Sequence, residues 1–299
     1  MPDATQLHIW GEQLDGTFVT PFYYTQADLQ QHARLTGVSE ADEAEAVRRA
    51  TTTVSRVSRR LKLPGKTYAI ASTLLHRFYA VWPRKSPRYT EEEMICACID
   101  LACKLQETPI RLPQISHHVL SEMRGEKLTE EEARTEMEYK LSPHQQKLLE
   151  SLQFNVDIVH PFRALTCFVT LLEGVTFTSS ESSGNDNYPK KYLYGFCSGM
   201  VLDTYRITLC IQYPPHVIAM ASLYLAKKLL DHISISTVID ASFMARCECD
   251  WKNVEDVALQ ILEMYATNRT NAEHPLILKA KPIMDKLLDR RRRRSLTAQ

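Results

Sequence analysis

Apolar residues recur every third or fourth position over most of this chain, the spacing that lays one stripe of a helix against a core. From Ser39 to Leu63 the stripe is Ala46, Ala50, Val54, Val57 and Leu61, and Pro64-Gly65 ends it. A second helix is predicted from Lys66 to Trp82, with Ile70, Leu74, Leu75, Phe78 and Tyr79 on one side and Pro83 as its stop. The third, Glu91 to Leu105, is apolar almost all round and opens on Thr90 and three glutamates, which suit a helix N-terminus. Beyond the break at Thr108-Pro109, Leu112 to Met123 reads as a shorter helix and residues 124–141 as a charged loop or solvated helix. Ser142-Pro143 opens a fifth helix ending near Phe154, with Leu148, Leu149 and Leu152 on its apolar side. Ahead of all five, Thr25 with Asp28 three residues on marks a helix start.

The pattern then returns. The run from Met94 to Leu105 has a near match beginning at Ile218, with Ala97 over Ala221, Leu101 over Leu225, Ala102 over Ala226, Lys104 over Lys228 and Leu105 over Leu229. The same offset sets the helix at 66–82 over one predicted at 188–208. Further helices are expected at 161–174, 215–231, 235–246 and 251–267, with 178–187 a flexible loop by composition. A helix apolar on every side is normally the centre of a bundle, and its alanines let neighbouring backbones approach. Two such helices imply one five-helix domain duplicated in tandem. The expected fold is therefore all-α: repeats at 40–158 and 159–270, an N-terminal extension at 1–39 and a basic tail at 271–299.

Composition narrows the classes. The 299 residues suit about two domains, 44% apolar residues supply real cores, and 9 glycines are few for an α/β enzyme with phosphate loops. Lys plus Arg equals Asp plus Glu at 36 each, so no global field draws the chain to nucleic acid or membrane. The eight cysteines, at 96, 98, 103, 167, 197, 210, 247 and 249, mostly lie in apolar helical runs and read as reduced core thiols. Cys247-Glu248-Cys249 lacks the partners of a tetrahedral zinc site, and His117-His118 is a poor metal pair because adjacent helical residues do not share a face. No Gly-rich phosphate loop, Gly-x-Ser-x-Gly elbow or His-Glu-x-x-His appears, so catalysis by the chain itself, a cofactor and a metal are not expected. With no charged-then-apolar leader and no long apolar run, the chain reads as intracellular and soluble.

Local sequence is more telling. Phe22-Tyr23-Tyr24-Thr25, with Leu29, Gly37-Val38-Ser39 and Glu43, resembles the aromatic entry motif of transcriptional cyclins. His76-Arg77-Phe78-Tyr79 resembles the end of the second helix in K/T-type cyclins, and Leu101-Ala102-Cys103-Lys104-Leu105-Gln106-Glu107-Thr108-Pro109 resembles their Leu-Ala-x-Lys-x-x-Glu-Thr-Pro signature. His160-Pro161-Phe162 follows the fifth helix as expected, and Leu149-Glu150-Ser151 before Phe154 looks like the fungal cyclin of the RNA polymerase II C-terminal-domain kinase. The resemblance spans about residues 22–268 and implies two cyclin boxes. It also implies a function: activating a cyclin-dependent kinase that phosphorylates polymerase C-terminal repeats, in the nucleus, in elongation or RNA processing, with room for a third subunit.

The resemblance assigns roles residue by residue. Lys104 matches the lysine that reaches main-chain carbonyls of the kinase, and three ammonium donors suit that work. Leu101, Leu105, Leu149, Phe154 and Val156 match the apolar positions that grip the kinase's movable helix, with Glu107 beside them; each apolar one can also be core alone. One departure stands out. Cyclins usually carry a glutamate nine residues before the aromatic, as partner to the lysine, and this chain has Gln145, an amide without charge. The helix at 45–61 lacks the substrate-docking patch of cell-cycle cyclins. Arg290, Arg291, Arg292, Arg293 and Arg294 form a run that reads as a nuclear import signal, a contact for an acidic partner or RNA phosphates, or a solvated tail. Rival readings are a cyclin-fold scaffold and an adaptor like a general transcription factor with two cyclin-like repeats. The latter would carry an N-terminal zinc ribbon, whereas no cysteine precedes Cys96.

Overall fold

The structure, a computed structural model, describes residues 23–178, 188–267 and 275–297 apart from 85, 87 and 127. Most of the loop expected at 178–187 and the first 22 residues of the N-terminal extension, Phe22 included, lie outside the described residues. The chain divides into two units, one of residues 23–158 with 205–212, the other of 159–204 with the chain from 213 onward.

In the first unit, α1 (Gln26–Leu35) starts at a capping box in which Thr25 and Asp28 satisfy each other's backbone donors. Helices α2 (Glu40–Arg60), α3 (Gly65–Tyr79), α4 (Glu91–Leu105), α5 (Leu112–Arg124) and α7 (Leu141–Ser151) are the five of the predicted repeat. Helix α6 (Glu130–Met137) falls where a charged loop or solvated helix was expected. Thr129 and Glu132 form its capping box, and Ala133 and Met137 turn one narrow face to the core. Helix α4 packs against α2, α3, α5 and α7. Its residues from Glu93 to Cys103 are all buried, and Ala97, Cys98 and Ala102 are fully so. Truncating Ile95 or Ile99, both fully buried there, would cost about 2–5 kcal/mol. Phe78 and Tyr79 of α3 are core, as is Tyr205, packed edge-on to Tyr68.

The second unit follows the same plan with one change. Helices α8 (Pro161–Leu171), α9 (Tyr188–Thr204), α11 (Pro215–Leu229) and α13 (Trp251–Thr267) surround a buried centre, with α11 in the place of α4. Helices α4 and α11 each have 15 residues and start at 91 and 215, an offset of 215 − 91 = 124. The predicted helix at 235–246 is shorter. Residues Ile233–Ile235 form strand β2, antiparallel to β1 (Val175–Phe177) with Val175 opposite Ile235, and only α12 (Ala241–Arg246) is helical. The reason is local: Ile-Ser-Ile-Ser alternates with the two-residue period of a strand, and Asp240 caps the helix by accepting from the Phe243 amide. Gly174, at φ +60, leads into the ribbon where any Cβ would collide with Ser236.

Residues 205–208, expected to continue α9, instead belong with α10 (Leu209–Gln212) to the first unit. The Tyr24 amide donates to the Ile211 carbonyl at 2.9 Å, and Thr51 Oγ1 donates to that of Arg206 at 3.1 Å. His76 Nε2 donates to the Tyr205 carbonyl at 2.9 Å, which fixes the tautomer with the proton on Nε2.

Burial lowers the His76 pKa to about 4, against the upward pull of that hydrogen bond. A histidine that must stay neutral when folded gives stability that is intact above its unfolded pKa near 6.5 and is lost as pH falls toward 4. The full loss for one such group is about 3 kcal/mol. Urea unfolding between pH 7 and pH 4 should show this slope, and His76→Gln should remove part of it. An unchanged slope in the variant would rule His76 out as its source.

Candidate partner-binding site

The residues that the resemblance singles out lie at the C-terminal ends of α4 and α7, two helices packed side by side. Both ends close in the same way. After α4, Glu107 is left-handed at φ 49, its amide donates to the Lys104 carbonyl at 3.3 Å and the Thr108 amide to that of Cys103 at 2.9 Å. After α7, Gln153 takes φ 52, its amide donates to Glu150 at 3.0 Å and the Phe154 amide to Leu149 at 2.8 Å. This is the Schellman arrangement, with residues other than glycine at the left-handed position.

That conformation alone does not mark a site, because Lys62 after α2 and Glu248 after α12 adopt it as well. Phe154 differs. It is a second consecutive left-handed residue, at φ 59, and the residue stands 66% exposed. Arg77 Nη1 holds the segment beyond it, donating to the Asn155 carbonyl at 3.1 Å. Motif matching had noted Arg77 but not this anchoring role. Strain next to an exposed aromatic ring is a reasonable sign of a surface built for a partner.

Around Phe154, Leu105, Leu149 and Val156 are partly exposed and Glu107 is exposed, while Leu101 is only 8% exposed and belongs mainly to the core. Lys104 is in the last turn of α4, where a cation complements the helix dipole, and its side chain is 60% exposed. Its Nζ lies 3.1 Å from Gln145 Oε1 on α7 and 2.7 Å from Asp100 Oδ2 one turn earlier on α4. Gln145 Nε2 donates to that same Asp100 oxygen, which fixes the amide orientation because a carboxylate can only accept. The three side chains close a ring. A charge for Lys104 is thus present without Glu at 145. Asp100 was missed in the sequence because it sits inside a run read as apolar, although its spacing of four from Lys104 was the available signal.

The arginine run lies on α14 (Pro275–Thr297), a helix where a tail was expected. Helix α14 packs on α13 and α11. Arg290 and Arg294, one turn apart, both reach the buried Glu255 of α13, at 2.6 Å and 2.7 Å, and Arg290 also bonds Tyr224. Arg291, Arg292 and Arg293 remain exposed. Among the described residues no cluster of His, Cys, Asp and Glu could hold a metal ion. No described helix is long and apolar enough to cross a membrane. Cys96, Cys98, Cys103 and Cys249 are buried, and burial raises their thiols, that of Cys103 to about 11.

Residues 22–157 match the family model of the cyclin N-terminal domain. Those residues form a cyclin N-terminal domain. Cyclin-T1-5 of Arabidopsis thaliana is 24% identical over 85% of this chain, and cyclin-C1-1 of Oryza sativa subsp. japonica is 25% identical over 78%. This chain spans 42% of the length of that cyclin-T and 79% of that cyclin-C. Its fold is similar to that of a chain in the crystal structure of the yeast RNA Pol II CTD kinase CTDK-1 complex. The TM-score is 0.67 at 18% identity, covering 90% of this chain and 84% of that one. A chain of the CAK complex of Chaetomium thermophilum gives 0.56 at 16% identity, covering 93% and 92%.

Glu255 is the acceptor that Arg290 and Arg294 share, and charge-assisted hydrogen bonds of this kind are about twice as strong as neutral ones. Glu255→Gln should therefore loosen α14, raising amide hydrogen exchange over residues 283–294 by about tenfold or more. Exchange equal to that of the unaltered chain would show that the two arginines do not hold the helix.

Proposed function

We propose that this chain is a transcriptional cyclin of the K/T type, the regulatory subunit of a cyclin-dependent kinase that phosphorylates the C-terminal repeats of RNA polymerase II. The observation that carries this reading is the pairing, at two adjacent helix ends, of an exposed Phe154 with an exposed, internally tethered Lys104. The similarity to cyclin-T and cyclin-C chains and the fold shared with a chain of the yeast RNA Pol II CTD kinase complex support the same reading.

In the mechanism that follows, the phosphoryl transfer belongs to the partner. The first cyclin box presents Leu105, Leu149, Phe154 and Val156 as an apolar patch against the kinase's movable helix, while Lys104 reaches main-chain carbonyls beside it. Holding that helix inward completes the Lys–Glu ion pair and the activation loop that transfer requires. A subunit can shift the kinase only by binding its active form more tightly, and moving a 1:99 population to 99:1 takes about 5.5 kcal/mol of differential affinity. A central aromatic anchor supplies energy on that scale when its ring is fully desolvated. A nuclear location follows from the proposed substrate, and the exposed Arg291, Arg292 and Arg293 are the part of the run open to an import receptor.

Tagged chain recovered from its own cells should bring down a kinase active on polymerase repeat peptides. Phe154→Ala should reduce kinase recovery by about tenfold or more. Lys104→Ala should impair activation more than Gln145→Ala does. Recovery of no kinase, or full activity with both Phe154→Ala and Lys104→Ala, would overturn the proposal.

A further inference from the structure

We infer that Asp100 is the positioning residue for Lys104. In this chain the carboxylate that the family resemblance places on the fifth helix at 145 has moved to α4, and Gln145 has become the bridge between the two helices. The inference rests on the proposed kinase-binding role of Lys104.

Three observations lead to it. The Asp100 side chain is only 9% exposed, so its charge cannot be left to solvent and must be met inside the protein. One oxygen, Oδ2, accepts from both Lys104 and Gln145, and Gln145 returns its own oxygen to Lys104 at 3.1 Å. The ring uses every group in the only sense its chemistry allows: ammonium and amide N–H donate, carboxylate and amide oxygen accept. Replacing Glu by Gln at 145 in an otherwise conventional site would strip Lys104 of its counter-charge. Here the amide is required, because a second carboxylate at 145 would face Asp100 at hydrogen-bonding distance with one lysine between them.

The arrangement has a consequence for binding. In the resembling pattern a carboxylate at 145 stands at the partner surface with the lysine, whereas Asp100 is enclosed. The partner therefore meets a cation whose counter-charge is hidden, and Lys104 is held in one pose by two of its three donors while the third is left to reach outward. A preoriented side chain loses less freedom on binding.

The ring predicts a reversal of sign that a merely structural role would not produce. Asp100→Asn alone and Gln145→Glu alone should each reduce kinase recovery and activation by about tenfold, the first by removing the charge and the second by crowding two. The double variant, with the carboxylate moved back to 145, should return to within about threefold of the unaltered chain. Urea unfolding of the free chain should show the same order, each single variant lowering the folding equilibrium constant and the double recovering it. Circular dichroism melts would confirm that each variant is folded. Additive losses, or improved activation by Gln145→Glu alone, would overturn the inference. So would recovery of stability without recovery of kinase binding, since the pair would then be structural only. If the unaltered chain recovers no kinase, the proposed function fails, and the unfolding arm still decides whether Asp100 and position 145 are coupled.

Discussion

Enclosing α4 on four sides constrains the whole first unit. A helix touched by α2, α3, α5 and α7 has no solvent face from Glu93 to Cys103, so any charge there must be neutralised by its neighbours. Two carboxylates lie in that position. Glu93 caps the helix start by accepting from the Thr90 amide, its charge is met by Lys140 at 3.1 Å, and His144 Nε2 lies 3.3 Å away. Asp100 is met by Lys104. The helix thus carries an ion pair near each end, and at both ends α7 or the residue before it supplies a partner, Lys140 to Glu93 and the Gln145 amide to Asp100. The register between α4 and α7 is set by chemistry as well as by packing. The proposed partner surface, made from the ends of those two helices, inherits its geometry from this register.

Much of this was legible in the sequence because it is local. Helix α4 has the predicted limits, Glu91 and Leu105, since Thr90 and its glutamates write the start and Thr108-Pro109 the stop. Helix α13 likewise matches at 251–267. What escaped was decided by distant partners. The chain from Tyr205 leaves helical register to serve the first unit, where His76 and Thr51 receive its carbonyls, and no periodicity within 188–208 announces that. Strand β2 needs β1 nearly sixty residues earlier in the chain. Helix α14 depends on a buried Glu255 for its attachment, so five arginines read alone looked like a tail.

The candidate site divides along the same line. Lys104, Phe154 and Gln145 could be picked from motif positions, and the structure brings all three to neighbouring helix ends. Leu101 could not be separated from core by its residue type, and its burial places it there. Asp100 carries no signal in a hydrophobicity pattern except as an interruption. Only the position of α7 shows that the interruption faces an amide.

The left-handed residues at helix ends carry a different consequence. With 9 glycines in 299 residues, this chain closes α2, α4, α7 and α12 with Lys62, Glu107, Gln153 and Glu248, side chains that each add roughly 1–2 kcal/mol of backbone strain. Those four turns act as slightly compressed springs. Heat or denaturant would be expected to open them before the helices they end. At Lys62 and Glu248, away from the proposed partner surface, the fold holds stability in reserve that a glycine would release without altering any contact in either core.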